Sequence, residues 1–331
     1  MGIEFDKEEK RSIADSETAI DRREFLEAAA VGTAVLSAGV ISGTSIASAQ
    51  TAADGEIPTI DWKTVEPGPR ANDLYTPQPG FNDTDVTWWP GRNVSGLTIG
   101  LIQFQANLPM IPGNMGNATT FDFPMLYRTM KPYDLADLFA PEPTEDFADA
   151  IVEAAQWLEL QGVSAVMGNC GFFGSYQDIV RPRINVPFFS SSLLMLPMMV
   201  QAMSGNKKVG VITADGPGLM KLKAIENTGL SLEDKENRIV VRGCENGPEF
   251  RRADVELAGR YNPVKMEEDI VTVARQMVEE HDIGAILLEC TELSPHAVAV
   301  QNAVHMPVWD YTTLTEWIHA GAVRRPFVGH L

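Results

Sequence analysis

GVSAVMGNC at residues 162–170 and IGAILLEC at residues 283–290 are the two stretches that decide the fold. Each carries a glycine near its start, continues as a short apolar run typical of a buried parallel strand, and ends at a cysteine. The repeat indicates two related halves. Because ligands bind beyond the carboxyl ends of the strands in open parallel sheets, we expect Cys170 and Cys290 to face one site.

Strand-like and helix-like segments alternate around these two stretches. Further strands are predicted at residues 97–102, 186–190, 208–213, 238–242 and 307–309, and helices at 147–160, 193–203, 266–281 and 312–320, with another helix after Gly216-Pro217. Repeated β-α units of this length predict parallel sheets covered by helices. The predicted fold class is therefore α/β, with two pseudo-symmetric lobes and an active-site cleft between them.

The predicted domain boundaries follow from the same alternation. The first lobe is expected to span residues 94–206 and the second residues 207–310. Residues 311–331 are expected to form a C-terminal helix that returns to the first lobe. Residues 50–93 are rich in Pro, Gly, Asp and Thr without clear periodicity, which predicts an irregular N-terminal arm.

Residues 1–49 have the pattern of an export signal. Arg22 and Arg23 precede an apolar run rich in Ala, Gly, Ser and Thr, and this run ends at Ala47-Ser48-Ala49. Paired arginines, a modest apolar segment and an A-x-A site are typical of a twin-arginine signal peptide. A transmembrane anchor is the alternative, although small residues insert into a bilayer less readily than Leu or Ile. We therefore expect a periplasmic or secreted protein.

The composition restricts the partners. The formal net charge is −19, and the three cysteines are an odd number that does not fit a disulfide framework. An acidic surface disfavours nucleic acid and anionic membranes. We expect a small-molecule carboxylate as the partner, no nucleic acid, and no membrane once the signal is removed. A homo-oligomer is compatible with the sequence.

The paired cysteines suggest acid–base chemistry. A thiol at a strand end that precedes a helix gains from the helix dipole and the backbone N–H groups, which lower its pKa. We expect such a helix after Cys170, and another after Cys290 that is capped by Thr291 or Ser294. Two thiols on opposite sides of an α-carbon can act as base and acid. Cys244 lacks the repeated pattern and is expected to be a core residue.

The sequence contains no recognisable cofactor motif. The five histidines show no metal-ligand spacing, and Gly216-Pro217-Gly218 lacks the lysine and the length of a phosphate loop. We therefore expect neither a metal nor an organic cofactor. His296 is the one histidine close to a candidate cysteine, so it could tune the Cys290 thiol or contact the substrate.

Several segments resemble one known superfamily. These are GNCGF at 168–172, LLECTELSP at 287–295, PMIPGNMGNATTFDFPMLY at 109–127, VITADG at 211–216 and VRGCE at 241–245. They are similar to the aspartate/glutamate/hydantoin racemase superfamily, and most similar to its algal-type dimethylsulfoniopropionate lyase branch and the bacterial relatives of that branch. The resemblance extends from about residue 97 to about residue 313.

The resemblance implies two α/β lobes around a pseudo-two-fold axis and chemistry without metal or pyridoxal phosphate. It implies that Cys170 and Cys290 are the catalytic acid and base. It also implies that Asn169, Thr213 and Thr291 contact the substrate carboxylate.

One position departs from the pattern expected of the family. An acidic residue is expected after the first strand, where this chain has Gln103-Phe104-Gln105. If an acidic group there holds a cationic substrate, Glu292 or the general acidity of the chain would have to replace it.

Three functions are compatible with these features. The first is a lyase that removes the α-proton of dimethylsulfoniopropionate and releases dimethyl sulfide and acrylate. The second is a racemase for an amino acid such as Asp or Glu, or for a hydantoin, which returns the proton from the opposite face. The third is a periplasmic binding protein, which does not require thiols at two strand ends.

Overall fold

Two parallel four-stranded sheets with the same strand order form the core. The structure is a computed structural model, and it describes residues 94, 96–105, 108–131, 133, 135–138, 140, 142–255, 259–260, 262–325 and 327–328. Both sheets belong to one compact unit. The predicted signal peptide and the predicted N-terminal arm, residues 1–93 together, lie outside the described residues. The predicted first lobe begins at residue 94, the first described residue.

The first sheet contains β1 to β4, which are Ile99–Phe104, Met125–Met130, Ala165–Gly168 and Phe188–Phe189. The second contains β5 to β8, which are Lys208–Thr213, Ile239–Gly243, Ile283–Leu288 and Val308–Trp309. The strand orders are β2-β1-β3-β4 and β6-β5-β7-β8, and every pair is parallel. The second sheet therefore repeats the topology of the first.

Within the described residues, ten α-helical segments, α1 to α10, accompany the strands. In chain order they are Leu135–Leu138, Glu145–Leu160, Gln177–Val180, Leu196–Ala202, Gly216–Lys221, Leu232–Arg238, Pro248–Phe250, Pro263–Glu280, Ala297–Val304 and Tyr311–Ala322. Five 3₁₀ turns and a π-helical turn join them, at Gly171–Tyr176, Arg181–Arg183, Ser192–Met195, Glu226–Thr228, Arg251–Val255 and Ser294–His296.

Local chemistry explains where the longest helices begin. Thr144 caps α2 by accepting a hydrogen bond from the Phe147 N–H, and Asn262 caps α8 by accepting from Val264 and Lys265. Such caps satisfy backbone donors that a helix leaves without intrahelical partners. Apolar residues recur at helical spacing on the inner face of α2, where Ile151, Ala155 and Leu158 are fully buried.

The α/β prediction with parallel sheets and two pseudo-symmetric halves is confirmed. The predicted strands and long helices are present, with ends that shift by one to three residues. The sequence reasoning missed β2, α6 and the short helices α1 and α7. In β2 the side chains are only partly buried along most of the strand, so its residues lack the continuous apolar run of a central strand.

The predicted helix at 193–203 is shorter than expected. Its first turn is the 3₁₀ segment Ser192–Met195, and the α-helix begins at Leu196 with Pro197 in its first turn. Proline suits that position because its missing N–H needs no partner there.

Backbone hydrogen bonds repeat between the two sheets. Asn169 N–H donates to Ile102 O at 3.1 Å, and Glu289 N–H donates to Ile212 O at 2.8 Å. Val166 N–H donates to Pro187 O and Ile286 N–H donates to Pro307 O in the same way. The carboxyl ends of β3 and β7 therefore occupy equivalent positions in the two sheets. The residues that follow these two strands are equivalent as well.

No helix in the described part of the chain is both long enough and apolar enough to span a bilayer.

Candidate active site

Cys170 and Cys290 occupy equivalent positions in the two sheets. Each lies two residues beyond the third strand of its half, β3 for Cys170 and β7 for Cys290. Both side chains are buried, with 6% and 5% of their surface exposed, and both are thiols. In each sheet the two central strands are followed by connections that lead to opposite edges of the sheet. In open parallel sheets, ligands bind at the carboxyl ends of the strands beside such a switch point.

Tyr311 lies near enough to both cysteines for their charges to affect its hydroxyl. It is the first residue of α10 and follows β8, the neighbour of β7, and its side chain has no exposed surface. Burial raises the pKa of the Tyr311 hydroxyl well above its usual value, and the charges of Cys170, Glu289 and Cys290 raise this pKa further. The phenol is therefore a neutral donor close to both thiols.

Sequence reasoning missed Tyr311, although its position has an equivalent in the first sheet. Phe189 and Trp309 pair with Met167 and Leu287 at matching register positions, so the residues two places later, Ser191 and Tyr311, correspond. The Ser191 hydroxyl lies beside the Tyr311 hydroxyl and opposes the rise of its pKa. The two groups do not reach hydrogen-bond geometry in the structure.

Neutral polar side chains at the strand ends surround this position. Asn169 Oδ1, Ser190 Oγ, Thr213 Oγ1 and the Tyr311 hydroxyl are all buried, and none has a hydrogen-bond partner within the described part of the chain. A buried polar atom without a partner costs about 1–3 kcal/mol. The hydroxyl groups of Ser190, Thr213 and Tyr311 can donate to a substrate carboxylate and so offset this cost, whereas Asn169 Oδ1 can only accept a hydrogen bond.

The predicted carboxylate contacts are placed as follows. Asn169 directly precedes Cys170, Thr213 is the last residue of β5 beside β7, and Thr291 directly follows Cys290. All three are buried to at least nine-tenths of their surface. They therefore lie at the carboxyl edges of the sheets beside the cysteines, and their contact with a substrate stays a prediction.

Glu289 reaches from one half of the site to the other. It precedes Cys290, yet its Oε1 lies 1.4 Å from the position that a Cβ on Gly171 would occupy. Gly171 directly follows Cys170, and a side chain at this residue would collide with the carboxylate. The absence of a side chain at residue 171 therefore makes room for a buried carboxylate between the two cysteine loops.

Further contacts fix the two halves against each other. Ser192 Oγ donates to Leu288 O at 3.5 Å and to Glu289 O at 3.3 Å. Asn114 Nδ2 donates to Glu292 Oε1 at 2.9 Å. Glu292, which the sequence offered as a replacement for the missing acidic residue, is thus tied to the 109–127 segment.

The helices expected after the cysteines differ from the prediction. Cys170 precedes the 3₁₀ turn Gly171–Tyr176, and the α-helix α3 begins only at Gln177. After Cys290, the 3₁₀ turn Ser294–His296 has Leu293 at its N-cap position without a side-chain cap, so neither Thr291 nor Ser294 caps it. Pro295 supplies the first turn as expected. The cysteines are therefore followed by short turns, whereas we predicted the N-termini of α-helices.

Cys244 and His296 make contacts outside the cysteine pair. Cys244 follows β6, which lies on the far side of β5 from β7, and its N–H donates to Thr213 O at 2.9 Å. His296 Nδ1 lies 3.4 Å from Glu267 Oε2 on α8. Burial lowers the pKa of His296, and Glu267 opposes this shift. His296 therefore contacts a helix of the second half.

A cavity of about 560 Å³ lies beside the carboxyl ends of β5 and β6. Its walls include Gly216, Arg242, Glu245 and Asp269, but neither of the paired cysteines. The Asp269 carboxylate accepts from two backbone N–H groups of α7, and Glu245 accepts from Gly216 N–H. These donors are thus already occupied by the protein's own carboxylates. Across residues 94–328 as far as they are described, no group of three His, Cys, Asp or Glu side chains could hold a metal.

The fold and the site define a two-lobed α/β protein with a cysteine pair at equivalent strand ends. No protein-family model matches the sequence. Dimethylsulfoniopropionate lyase 3 of Emiliania huxleyi strain CCMP1516 is 30% identical over 238 residues, which are 70% of this chain and 61% of that relative. The dimethylsulfoniopropionate lyase of Durusdinium sp. clade D is 28% identical over 251 residues, which are 72% and 80% of the two chains.

The chain is therefore similar in sequence to dimethylsulfoniopropionate lyases, and it spans less than two thirds of the first relative's length. Among solved structures, unliganded arylmalonate decarboxylase has a TM-score of 0.45 and 16% identity, covering 70% of this chain and 94% of that chain. The aspartate racemase of Picrophilus torridus has a TM-score of 0.44 and 16% identity, covering 70% and 96%.

Proposed function

We propose that this protein is a cofactor-independent lyase that cleaves dimethylsulfoniopropionate into dimethyl sulfide and acrylate. The observation that carries the proposal is the equivalent placement of Cys170 and Cys290, both close to the Tyr311 hydroxyl. The homology to dimethylsulfoniopropionate lyases supports the choice of substrate.

The proposed reaction is a β-elimination. A thiolate of the pair takes the proton from carbon 2, and the electrons of that C–H bond form the double bond between carbons 2 and 3. The bond between carbon 3 and sulfur breaks, and its electrons remain on sulfur as neutral dimethyl sulfide. The thiol then returns its proton to solvent, so the products are dimethyl sulfide, acrylate and one proton.

The surroundings of the thiols suit this step. Negative charge moves from carbon 2 towards the substrate carboxylate as the proton leaves, and donors placed in advance around such charge lower the barrier. The hydroxyl groups at the strand ends, including those of Ser190 and Thr213, can supply these donors. Because the leaving group is neutral, it needs no protonation, and the second thiol is free to hydrogen-bond the substrate.

Racemisation of an amino acid is a second candidate. The equivalence of Cys170 and Cys290 favours it, because two similar acids related by pseudo-symmetry can serve the two faces of an α-carbon. The first proton transfer would be the same, and the second thiol would return a proton from the opposite side.

An exchange experiment separates the two reactions. Protein dialysed against EDTA is incubated in D₂O with dimethylsulfoniopropionate, L-Asp or L-Glu, and followed by proton NMR and headspace gas chromatography. The lyase predicts equal amounts of dimethyl sulfide and acrylate from the sulfonium substrate, and no deuterium at the α-carbon of the amino acids. Deuterium exchange with loss of optical rotation, without dimethyl sulfide, would favour the racemase.

A further inference from the structure

The two halves place different groups beside their equivalent cysteines. Asn169 and Glu289 each stand directly before the cysteine of their half, and their backbone N–H groups donate to the equivalent residues Ile102 and Ile212. One side chain is a neutral amide, and the other is a carboxylate. The two thiols are thus related by pseudo-symmetry, but the residues directly before them, Asn169 and Glu289, differ in chemical type.

The Glu289 carboxylate lies inside the site. The side chain has no exposed surface, and its Cδ lies 2.0 Å from the position of a Cβ on Gly171. Glu289 therefore starts beside Cys290 and ends beside the residue that follows Cys170. The pKa of Tyr311 is raised first by burial, and the neighbouring Cys170 and Glu289 add to this rise.

The buried ionisable residues apart from cysteine and tyrosine are Glu249, Glu289, His296 and Asp310, and no lysine or arginine is buried in the described ranges. Like charges in a buried site repel strongly. A substrate with a second carboxylate would meet this repulsion, whereas a cationic group would be attracted.

We propose that Glu289 recognises a cationic centre in the substrate, so that the site selects a small zwitterion with one carboxylate. This inference rests on the proposed function and specifies the charge pattern of its substrate class. Asn169 and its neutral neighbours take the carboxylate end, and Glu289 takes the cationic end. The acidic group that the sequence lacks after the first strand is then supplied from the second half.

The chemistry of the elimination gives Glu289 a defined kinetic role. The positive charge on sulfur disappears as the carbon–sulfur bond breaks, so its attraction to Glu289 is stronger before the reaction than during it. An interaction of this kind strengthens substrate binding without accelerating the chemical step. The variant Glu289→Gln should therefore raise KM much more than it lowers kcat.

Two isosteric carboxylates test the recognition without any turnover. The compounds 3-(trimethylammonio)propanoate and 4,4-dimethylpentanoate have the same shape, but only the first carries a positive charge. Calorimetry should show that the wild-type protein binds the cationic compound more tightly by about tenfold or more, the scale of a close charge pair at an interface. In Glu289→Gln the two affinities should become nearly equal.

Glu292→Gln is the matched control, because Glu292 lies three residues further on and bonds Asn114 instead. It should keep the preference for the cation. Equal binding of both compounds by the wild type would overturn the inference, even if Glu289→Gln failed to fold, and so would an unchanged preference in that variant. Dimethyl sulfide release is measured separately: a protein that prefers the cation but releases none would contradict the proposed lyase and leave the recognition intact.

Discussion

The carboxylate of Glu289 fills the space that a side chain on residue 171 would occupy. A methyl group at residue 171 would meet Glu289 Oε1 at 1.4 Å, so Gly171→Ala must displace the carboxylate from the site. We expect KM for dimethylsulfoniopropionate to rise at least about tenfold, with destabilisation of about 1–3 kcal/mol from overpacking. Steady-state kinetics and thermal denaturation measure these effects.

Gly321→Ala is the control for that substitution. Gly321 lies in α10, and no atom lies within 4 Å of a Cβ built on it. Alanine in a helix interior is favoured over glycine by up to about 1 kcal/mol, so this variant should keep normal kinetics and full stability. A Gly171→Ala protein with wild-type KM would show that the position of the Glu289 carboxylate is unimportant for substrate binding.

Removal of the Tyr311 hydroxyl should slow the chemical step. The phenol stays protonated because burial and the neighbouring charges raise its pKa, so it can donate a hydrogen bond throughout the neutral pH range. We expect Tyr311→Phe to lower kcat by roughly a hundredfold, the usual effect of removing one donor from a developing anion. Tyr133→Phe is the control, since its hydroxyl donates to Asp146 O at an exposed position.

The paired thiols should be the reactive ones. A thiolate is alkylated and oxidised faster than a neutral thiol, and catalytic cysteines have lowered pKa values. Iodoacetamide or peroxide should therefore inactivate the enzyme, and a carboxylate analogue should protect it. Mass spectrometry should find the label on Cys170 or Cys290 before Cys244, which is completely buried. A fully active protein with a stable disulfide between Cys170 and Cys290 would contradict the mechanism.

The sequence predicted the two halves because the same apolar step to a cysteine occurs twice. It could not reveal Tyr311, because the equivalence with Ser191 depends on the register of β4 and β8, and each of these strands has only two residues. Glu289 was overlooked for a similar reason. The acidic group was sought after the first strand, whereas the fold brings one from β7 across to Gly171.

The short turns after the cysteines show another limit of sequence reasoning. Gly171 and Pro295 predict a chain reversal and a helical first turn, but the choice between a 3₁₀ and an α-helical turn depends on packing between the halves. The contact of Gly113 with Pro295 is one such constraint, because a Cβ on Gly113 would lie 2.8 Å from Pro295 Cα. Side-chain caps are therefore not needed there.

Export is expected to depend on the paired arginines, in a part of the chain outside the described residues. A reporter fused after residues 1–55 should reach the periplasm through the twin-arginine pathway, which transports folded proteins. Changing Arg22 and Arg23 together to Lys should retain the reporter in the cytoplasm, as cell fractionation would show. Unchanged export of the double variant would mean that these residues do not form the signal.

Dimethyl sulfide release by cysteine variants shows whether Cys170 and Cys290 carry out the reaction. Headspace gas chromatography of the purified wild type and the Cys170→Ala, Cys290→Ala and Cys244→Ala variants with dimethylsulfoniopropionate gives the turnover of each. The two-cysteine mechanism predicts near wild-type release by Cys244→Ala. Each of the other two variants should release at least about a hundredfold less, the scale for loss of an acid–base group or of a hydrogen-bond donor to the reacting substrate. Full release by Cys170→Ala and Cys290→Ala, or its loss in Cys244→Ala alone, would contradict this mechanism.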